Sequence, residues 1–349
     1  DESVRSYEAA LKHKPDYVEA INNLGIAFYK LQQIDDAMKY YKRALALDPD
    51  FADAHNNIGI VYLDLGQLDE AAQSYKAALK LKPEFVEAHY NLGVVLQDLG
   101  QIEDAIESYK DVIAIDKGFF KAHNNLGVAL LDLDQFDEAV KSYKAALELK
   151  PDYVEAINNL GIAFFKLHQL DDAVKCYERA LVLDPVSADA HNNIGAVHLE
   201  RGQLDEAVNS YKTALEIKPD FFEANNNIGS AFNKLLQPQL AIEYYEKSIA
   251  IKPDYVNAHA NLAIVLKDFK RFDEVMAIYQ SDIILNSNLD FILGEVLHTK
   301  MMLCIWDDFQ IHLNELTIKI NNNEKAVGPF ALLALIDDPE IQRKTAEIY

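Results

Sequence analysis

Asparagine recurs at residues 23, 57, 91, 125, 159, 193, 227 and 261, eight times at a spacing of 34, inside a lattice of other residues with the same period. Such a unit buries its apolar face by stacking on its neighbour, so the period restricts the chain to an array. Glycine follows each Asn two residues later, at Gly25, Gly59, Gly93, Gly127, Gly161, Gly195 and Gly229, with Ala263 last. Alanine stands twelve residues after each of those glycines, at Ala37, Ala71, Ala105, Ala139, Ala173, Ala207 and Ala241. Small residues at these two places let paired helices cross closely. A tyrosine row (Tyr7, Tyr41, Tyr75, Tyr109, Tyr143, Tyr177, Tyr211, Tyr245, Tyr279) fits core packing with each hydroxyl reaching a helix edge. Units close on Pro15, Pro49, Pro83, Pro151, Pro185, Pro219 and Pro253, where proline stops a helix.

This lattice resembles the 34-residue helix-turn-helix period of the tetratricopeptide repeat. Each unit reads as two helices joined by Gln-Leu-Asp-Glu (67–70) or a close variant, which puts Asp69, Asp137, Asp171 and Asp205 where an N-cap belongs. The expected fold class is all-α, a right-handed α-solenoid superhelix with a short helical C-terminal connector. Residues 1–17 read as the second helix of a truncated repeat, 18–289 as eight repeats with a degenerate last one, and 290–349 as the connector. Asp1 falls on a regular repeat position without an initiator methionine, signal peptide or cap, which reads as an internal fragment. Asp16 to Tyr29 (DYVEAINNLGIAFY) recurs almost unchanged as Asp152 to Phe165, four repeats later, as growth by block duplication would leave it.

Composition removes several function classes. A net charge of -23 argues against a nucleic-acid partner, whose binding draws on clustered Lys and Arg. Every apolar run is short or amphipathic, so no membrane span is expected. Cys176 and Cys304 lie in different units, form no disulfide framework and fit a reducing cytoplasm as small buried hydrophobes. The repeats contain no phosphate loop, no HExxH, no GxSxG and no strand pattern, so neither a catalytic residue nor a cofactor is expected in them. Histidines 55, 89, 123, 191 and 259 share one lattice slot with Ile21 and Ile157, which makes it a packing position, and residues a helix diameter apart cannot converge on one metal ion.

The first helix of each unit carries the binding signal. Residues four apart share a helix face, so Glu19, Asp53, Glu87, Lys121, Glu155, Asp189, Glu223 and Asn257 lie on the stripe of the Asn row. Three residues beyond each Asn the stripe continues with Ile26, Ile60, Val94, Val128, Ile162, Ala196, Ser230 and Ile264. First helices of such hairpins line the concave side. An Asn side chain offers a donor and an acceptor in one plane, which answers the C=O and N–H of a peptide unit without reading its side chain. Helices packed about 8 to 10 Å apart meet an extended chain roughly every third residue. The partner implied is an extended or disordered segment of a protein substrate, gripped by Asn23, Asn57, Asn91, Asn125, Asn159, Asn193, Asn227 and Asn261. The competing use of the row is a bond within the solenoid, bridging adjacent repeats. Persistence of the Asn in the divergent units 222–255 and 256–289 favours the ligand.

The tail departs from the lattice. Leu293, Val296, Leu297, Met301 and Cys304 share one face of a helix over 289–304, and Phe309, Leu313, Leu316 and Ile320 one face of a helix over 308–320. An Asn-rich turn (321–323), a Gly328-Pro329 break, an apolar run over 330–336 and a last helix opening at Asp337-Asp338-Pro339 follow.

Two stretches of this tail, LGEVLHTKMMLCIWDDF from Leu293 and GPFALLALIDDPEIQRKTAEIY ending at Tyr349, resemble the connector of the bacterial family 41 glycosyltransferases. That family includes the O-GlcNAc transferases and SPINDLY-like enzymes; the Cys304-Ile305-Trp306-Asp307 element and the Pro329-Phe330 to Pro339 stretch carry the similarity. The resemblance implies that the Asn row holds the backbone of a protein substrate. It also implies that Glu19, Asp53, Glu87, Glu155, Asp189 and Glu223 touch the substrate's side chains, a row from which Lys121 and Asn257 depart. It implies a nucleotide-sugar domain downstream of Tyr349, with Tyr349 standing where some members carry a functional histidine; both GlcNAc and fucose donors occur in the wider family. Two other readings remain. A non-enzymatic scaffold or adaptor that clamps a carboxylate needs converging cations, whereas Lys30, Lys166 and Lys234 are scattered. Homodimer assembly needs exposed apolar patches.

Overall fold

The computed structural model describes residues 2–285 and 291–349, and every regular element among them is helical. The first compact unit, Asp1–Pro185, contains α1 (Glu2–His13), α2 (Val18–Lys30), α3 (Ile34–Leu47), α4 (Ala52–Asp64), α5 (Leu68–Leu81), α6 (Val86–Asp98), α7 (Ile102–Ile115), α8 (Phe120–Asp132), α9 (Phe136–Leu149), α10 (Val154–Lys166) and α11 (Leu170–Leu183). The second, Val186–Tyr349, contains α12 (Ala188–Glu200), α13 (Leu204–Ile217), α14 (Phe222–Lys234), α15 (Pro238–Ile251), α16 (Val256–Asp268), α17 (Phe272–Leu285), α18 (Ile292–Met302), α19 (Phe309–Asn321), α20 (Pro329–Leu335) and α21 (Pro339–Ile348). The expected junction of repeats and tail at 289–290 lies outside the described residues, as does Asp1.

Hairpin closure depends on one contact made seven times. A Cβ added to Gly25 would lie 2.6 Å from Cε1 of Tyr41, and the same is true within 0.1 Å of Gly59 on Tyr75, Gly93 on Tyr109, Gly127 on Tyr143, Gly161 on Tyr177, Gly195 on Tyr211 and Gly229 on Tyr245. The first helix is thus notched so that the ring from the second helix lies against its backbone. Each of those tyrosines is buried, and the alanine four residues before it is fully buried beside it. Full burial of a side chain this large stabilises by roughly 1.5 to 3 kcal/mol.

The turn inside each hairpin is equally regular. Gln32, Gly66, Gly100, Asp134, His168, Gly202, Leu236 and Lys270 occupy one position of the period, and all have φ between 55° and 73°. The residue after each donates its N–H to the carbonyl five residues back, as Gln67 does to Tyr62 at 2.9 Å, so a left-handed residue ends one helix and its successor begins the next. This moves the expected caps. Helices α5, α9, α11 and α13 start at Leu68, Phe136, Leu170 and Leu204, with Gln67, Gln135, Gln169 and Gln203 at the cap and no side-chain cap bond. Asp69, Asp137, Asp171 and Asp205 are second helical residues, where their charge still faces the positive helix end.

The tyrosine hydroxyls also differ from expectation. Those of Tyr75, Tyr143 and Tyr211 are buried without a partner, whereas Tyr109 donates to Oε1 of Gln97 at 3.1 Å and Tyr245 to Oγ of Ser230 at 3.2 Å. The places of Gln97 and Ser230 are taken by Leu63 and Ile60 near Tyr75, by Leu131 and Val128 near Tyr143, and by Leu199 and Ala196 near Tyr211. Burial pushes all of these phenols up, so they stay neutral.

The tail closes on its own core. Leu297 of α18, Leu316 and Ile320 of α19, Ala326 and Val327 ahead of α20 and Leu332 within it are buried together, with Leu293, Phe309 and Leu313 packed against them. Met301 is only partly buried and Cys304 is exposed, since α18 ends at Met302 and Cys304 has φ 55°. Val296, one residue before Leu297, joins instead the core of the last hairpins with Val265, Leu266 and Tyr279. The last helix opens at Pro339, where expected, and Asp338 caps it, Oδ1 accepting from the N–H of Glu340 at 2.9 Å and of Ile341 at 3.2 Å.

Two substitutions test these features. Gly127→Ala should destabilise by about 1 to 3 kcal/mol, the usual cost of overpacking, because Tyr143 has no room to retreat. Leu236→Gly should raise the midpoint of thermal unfolding by relieving about 1 kcal/mol of left-handed strain, since the side chain is 87% exposed and little packing is lost. Both are read by circular dichroism.

Candidate binding face on the first helices

Within each unit the first helices touch one another directly: α2, α4, α6, α8 and α10 in sequence, and likewise α12, α14 and α16. The buried face of each is set by its Ala and Gly, for example Ala54, Ile58, Gly59 and Val61 on α4, which turns the stripe of Asp53, Asn57 and Ile60 outward. All eight ladder asparagines are half-buried. In the acidic row Glu19, Glu87, Glu155 and Asp189 are exposed and Asp53 and Glu223 half-buried, with Lys121 and Asn257 exposed at the two departures. The apolar row is half-buried except for exposed Ile264. Each unit therefore presents amide, carboxylate and apolar positions side by side.

Most of the amides are not left free, and at those rungs the competing use of the row is realised. Nδ2 of Asn57 donates to Oδ1 of Asn22 at 3.0 Å, Asn159 to Asn124 at 3.2 Å, Asn227 to Asn192 at 3.1 Å and Asn261 to Asn226 at 2.9 Å. Asn125 donates to the hydroxyl of Tyr90 at 3.2 Å, because Tyr90 stands where those repeats have an asparagine. Four of these acceptors, Asn22, Asn124, Asn192 and Asn226, are buried residues immediately preceding a ladder Asn. Sequence reading passed over them, although the Asn-Asn doublet at 22–23, 56–57, 124–125, 158–159, 192–193 and 226–227 carries the same period.

The doublets also bond within themselves, Asn124 Nδ2 to Asn125 Oδ1 at 3.2 Å and Asn226 to Asn227 at 3.4 Å. An amide has two N–H groups and two lone pairs. A ladder residue such as Asn227 thus spends one of each on the fold, is held in one orientation, and has one of each left over, whereas Asn125 gives bonds to both Tyr90 and Tyr109. Asn91 is different. Among the described residues it makes no side-chain hydrogen bond, and Oδ1 of Asn56, its acceptor by analogy, is buried without a partner.

Neighbouring side chains are also tied down. Glu155 accepts from Nδ2 of Asn124 at 3.0 Å and from the hydroxyl of Tyr153 at 2.9 Å, which fixes the carboxylate beside the ladder. The hydroxyl of Tyr29 donates to Asp64; burial and then that bond push the phenol up to about 12. The lattice histidines are structural ties: Nε2 lies 3.0 Å from the Pro49 carbonyl in His55, 2.9 Å from Pro83 in His89 and 2.8 Å from Pro253 in His259. Ile21 and Ile157 fill the same slot fully buried. Among the described residues no group of His, Cys, Asp and Glu is gathered as a metal site, and no helix is long and apolar enough to cross a membrane.

Side-by-side hairpins with a uniform polar face on the first helices define a helical repeat protein suited to binding peptides or other proteins. Family models described as TPR repeat match residues 27–66, 61–100, 96–134 and 129–168, and those described as Tetratricopeptide repeat match 158–220 and 197–256. The chain belongs to the tetratricopeptide repeat proteins. It is similar in fold to a chain of the APC/C hetero-tetramer Cut9-Hcn1, with a TM-score of 0.58 and 18% identity over 75% of this chain and 52% of that one. It therefore spans about half the length of that relative. It is also similar to pilF of Pseudomonas aeruginosa, at TM-score 0.50 and 20% identity over 60% and 95% of the two chains. A lower likeness, TM-score 0.41 and 24% identity over 54% and 96%, is to YrrB, described as a TPR protein with an unusual peptide-binding site. No curated protein sequence matches.

Urea unfolding separates the two kinds of rung. Asn159→Ala strips the donor from a buried acceptor and should cost about 1 to 3 kcal/mol. Asn91→Ala removes no such bond and should stay within about 0.5 kcal/mol of the parent.

Proposed function

We propose that the ladder face holds extended segments of other proteins by their backbone. The observation that supports this most is the set of half-buried ladder amides, several fixed by inter-repeat bonds that leave part of their hydrogen-bonding capacity unspent. An amide already ordered by the fold loses little further freedom on binding, so each contact keeps more of its net worth of about 0.5 to 1.5 kcal/mol. In this reading Glu19, Asp53, Glu87, Glu155, Asp189 and Glu223 face the ligand's side chains and tune which segments are accepted. The carboxylate-clamping adaptor is less favoured, because Lys30, Lys166 and Lys234 are each exposed at the far end of a separate helix.

The finer assignment is that this face recruits substrates for a nucleotide-sugar-dependent protein O-glycosyltransferase, with residues 18–289 as the substrate-holding array and 290–349 as the connector. Its support is the tail sequence alone, Cys304 to Asp307 and Pro329 to Pro339.

Peptide binding followed by fluorescence anisotropy tests the face itself. Asn91→Ala should weaken an extended peptide about three- to tenfold while the melting temperature holds, as one lost hydrogen bond predicts. Unchanged affinity sinks the reading. For the finer assignment, the product of the complete gene should transfer sugar from a nucleotide donor to Ser or Thr of cellular proteins, detected by mass spectrometry. A gene without a nucleotide-sugar domain removes it.

A further inference from the structure

A second charged row runs along the ladder face, seven residues after each Asn, where the first helices end. In the first unit it reads Lys30, Asp64, Asp98, Asp132 and Lys166, all exposed. Helix geometry puts this row on the stripe of the amide and apolar rows, one turn beyond the latter. Its position beside the seam between successive first helices is marked by two bonds across that seam, from the Tyr29 hydroxyl to Asp64 and from Nε2 of Gln97 to Oδ2 of Asp132 at 3.1 Å. The three carboxylates stand at helix C-termini, whose partial negative charge adds to theirs.

Over α4, α6 and α8 the face therefore carries Asp53 and Glu87 on one side of the ladder and Asp64, Asp98 and Asp132 on the other, against the single cation Lys121. Lys30 on α2 and Lys166 on α10 bound the acidic stretch at both ends. At its centre, on α6, lies Asn91, the rung whose amide is uncommitted, next to the buried and unpartnered Oδ1 of Asn56, a residue 6% exposed. Charge complementarity names the occupant, and the lysines name its length.

We infer that the ladder face of α4, α6 and α8 selects extended peptides with a short basic centre, Lys or Arg recurring at about every third residue over a span of about eight. This rests on the backbone-holding reading above and adds the sequence preference. Runs that stay basic beyond that span meet Lys30 or Lys166 and gain nothing.

The test uses the whole chain and two labelled peptides of Ser, Thr and Gly, one with Lys at every third position and one with Gln in its place. The Lys peptide should bind about tenfold tighter at low salt, a preference that falls as salt is added. Changing Asp64, Asp98 and Asp132 together to Asn should remove most of the preference, Asp53 and Glu87 keeping the rest. Lys30→Glu with Lys166→Glu should strengthen binding of a longer basic peptide. Equal affinity of the two peptides for the parent chain, or a preference untouched by the triple change, overturns the charge inference while the backbone reading stands. If neither peptide binds, both fall together.

Discussion

The contact between a glycine of the first helix and a tyrosine ring of the second is the interaction on which the rest depends. It sets how closely the two helices approach, with no room for a methyl group between ring and backbone. Everything on the ladder face inherits its position from that approach, because the Asn lies two residues from the glycine and the acidic row one turn before the Asn. Where the last repeat has Ala263 in place of glycine, Tyr279 still reaches the core but is 5% exposed, against 0% for Tyr75, Tyr109, Tyr143 and Tyr211.

The asparagine pair shows how a polar residue on the half-buried face serves the fold. A buried amide without a partner costs free energy, so the bonds to the ladder offset the burial of Asn22, Asn124, Asn192 and Asn226, an offset that Asn56 lacks. The ladder residue in turn is fixed by the bond it gives. On the proposed reading, structure and recognition are therefore not alternatives at this position. On that reading a change at Asn57 or Asn159 moves both, which is why Asn91 is the informative rung.

Much of the fold was legible because its signals were periodic. The hairpins, their small-residue crossing and the stripe on the first helix follow from residues that recur every 34 positions. The turns were not legible by residue type: Leu236, Lys270 and Gln32 adopt the left-handed conformation that Gly66 adopts, so only the shared register reveals it. The cap shift followed from the same turn. The inter-repeat amide bonds were in principle legible, since the Asn-Asn doublet is as periodic as the row itself, but which amide of a pair turns inward depends on helix rotation about its axis. In the tail, aperiodic sequence gave faces without partners, and the division of α18 between two cores emerged only in three dimensions.

That division has a mechanical meaning. Val296 is sealed into the last hairpins and Leu297, its neighbour in the chain, into the tail. A stack of identical units ordinarily ends in an apolar surface that another copy of the same unit would fit, and an uncovered end invites open-ended growth. Here α18 occupies that surface, and the tail core holds α18 in place. The tail is a stopper: it covers the array on that side, and loosening it would uncover an adhesive end.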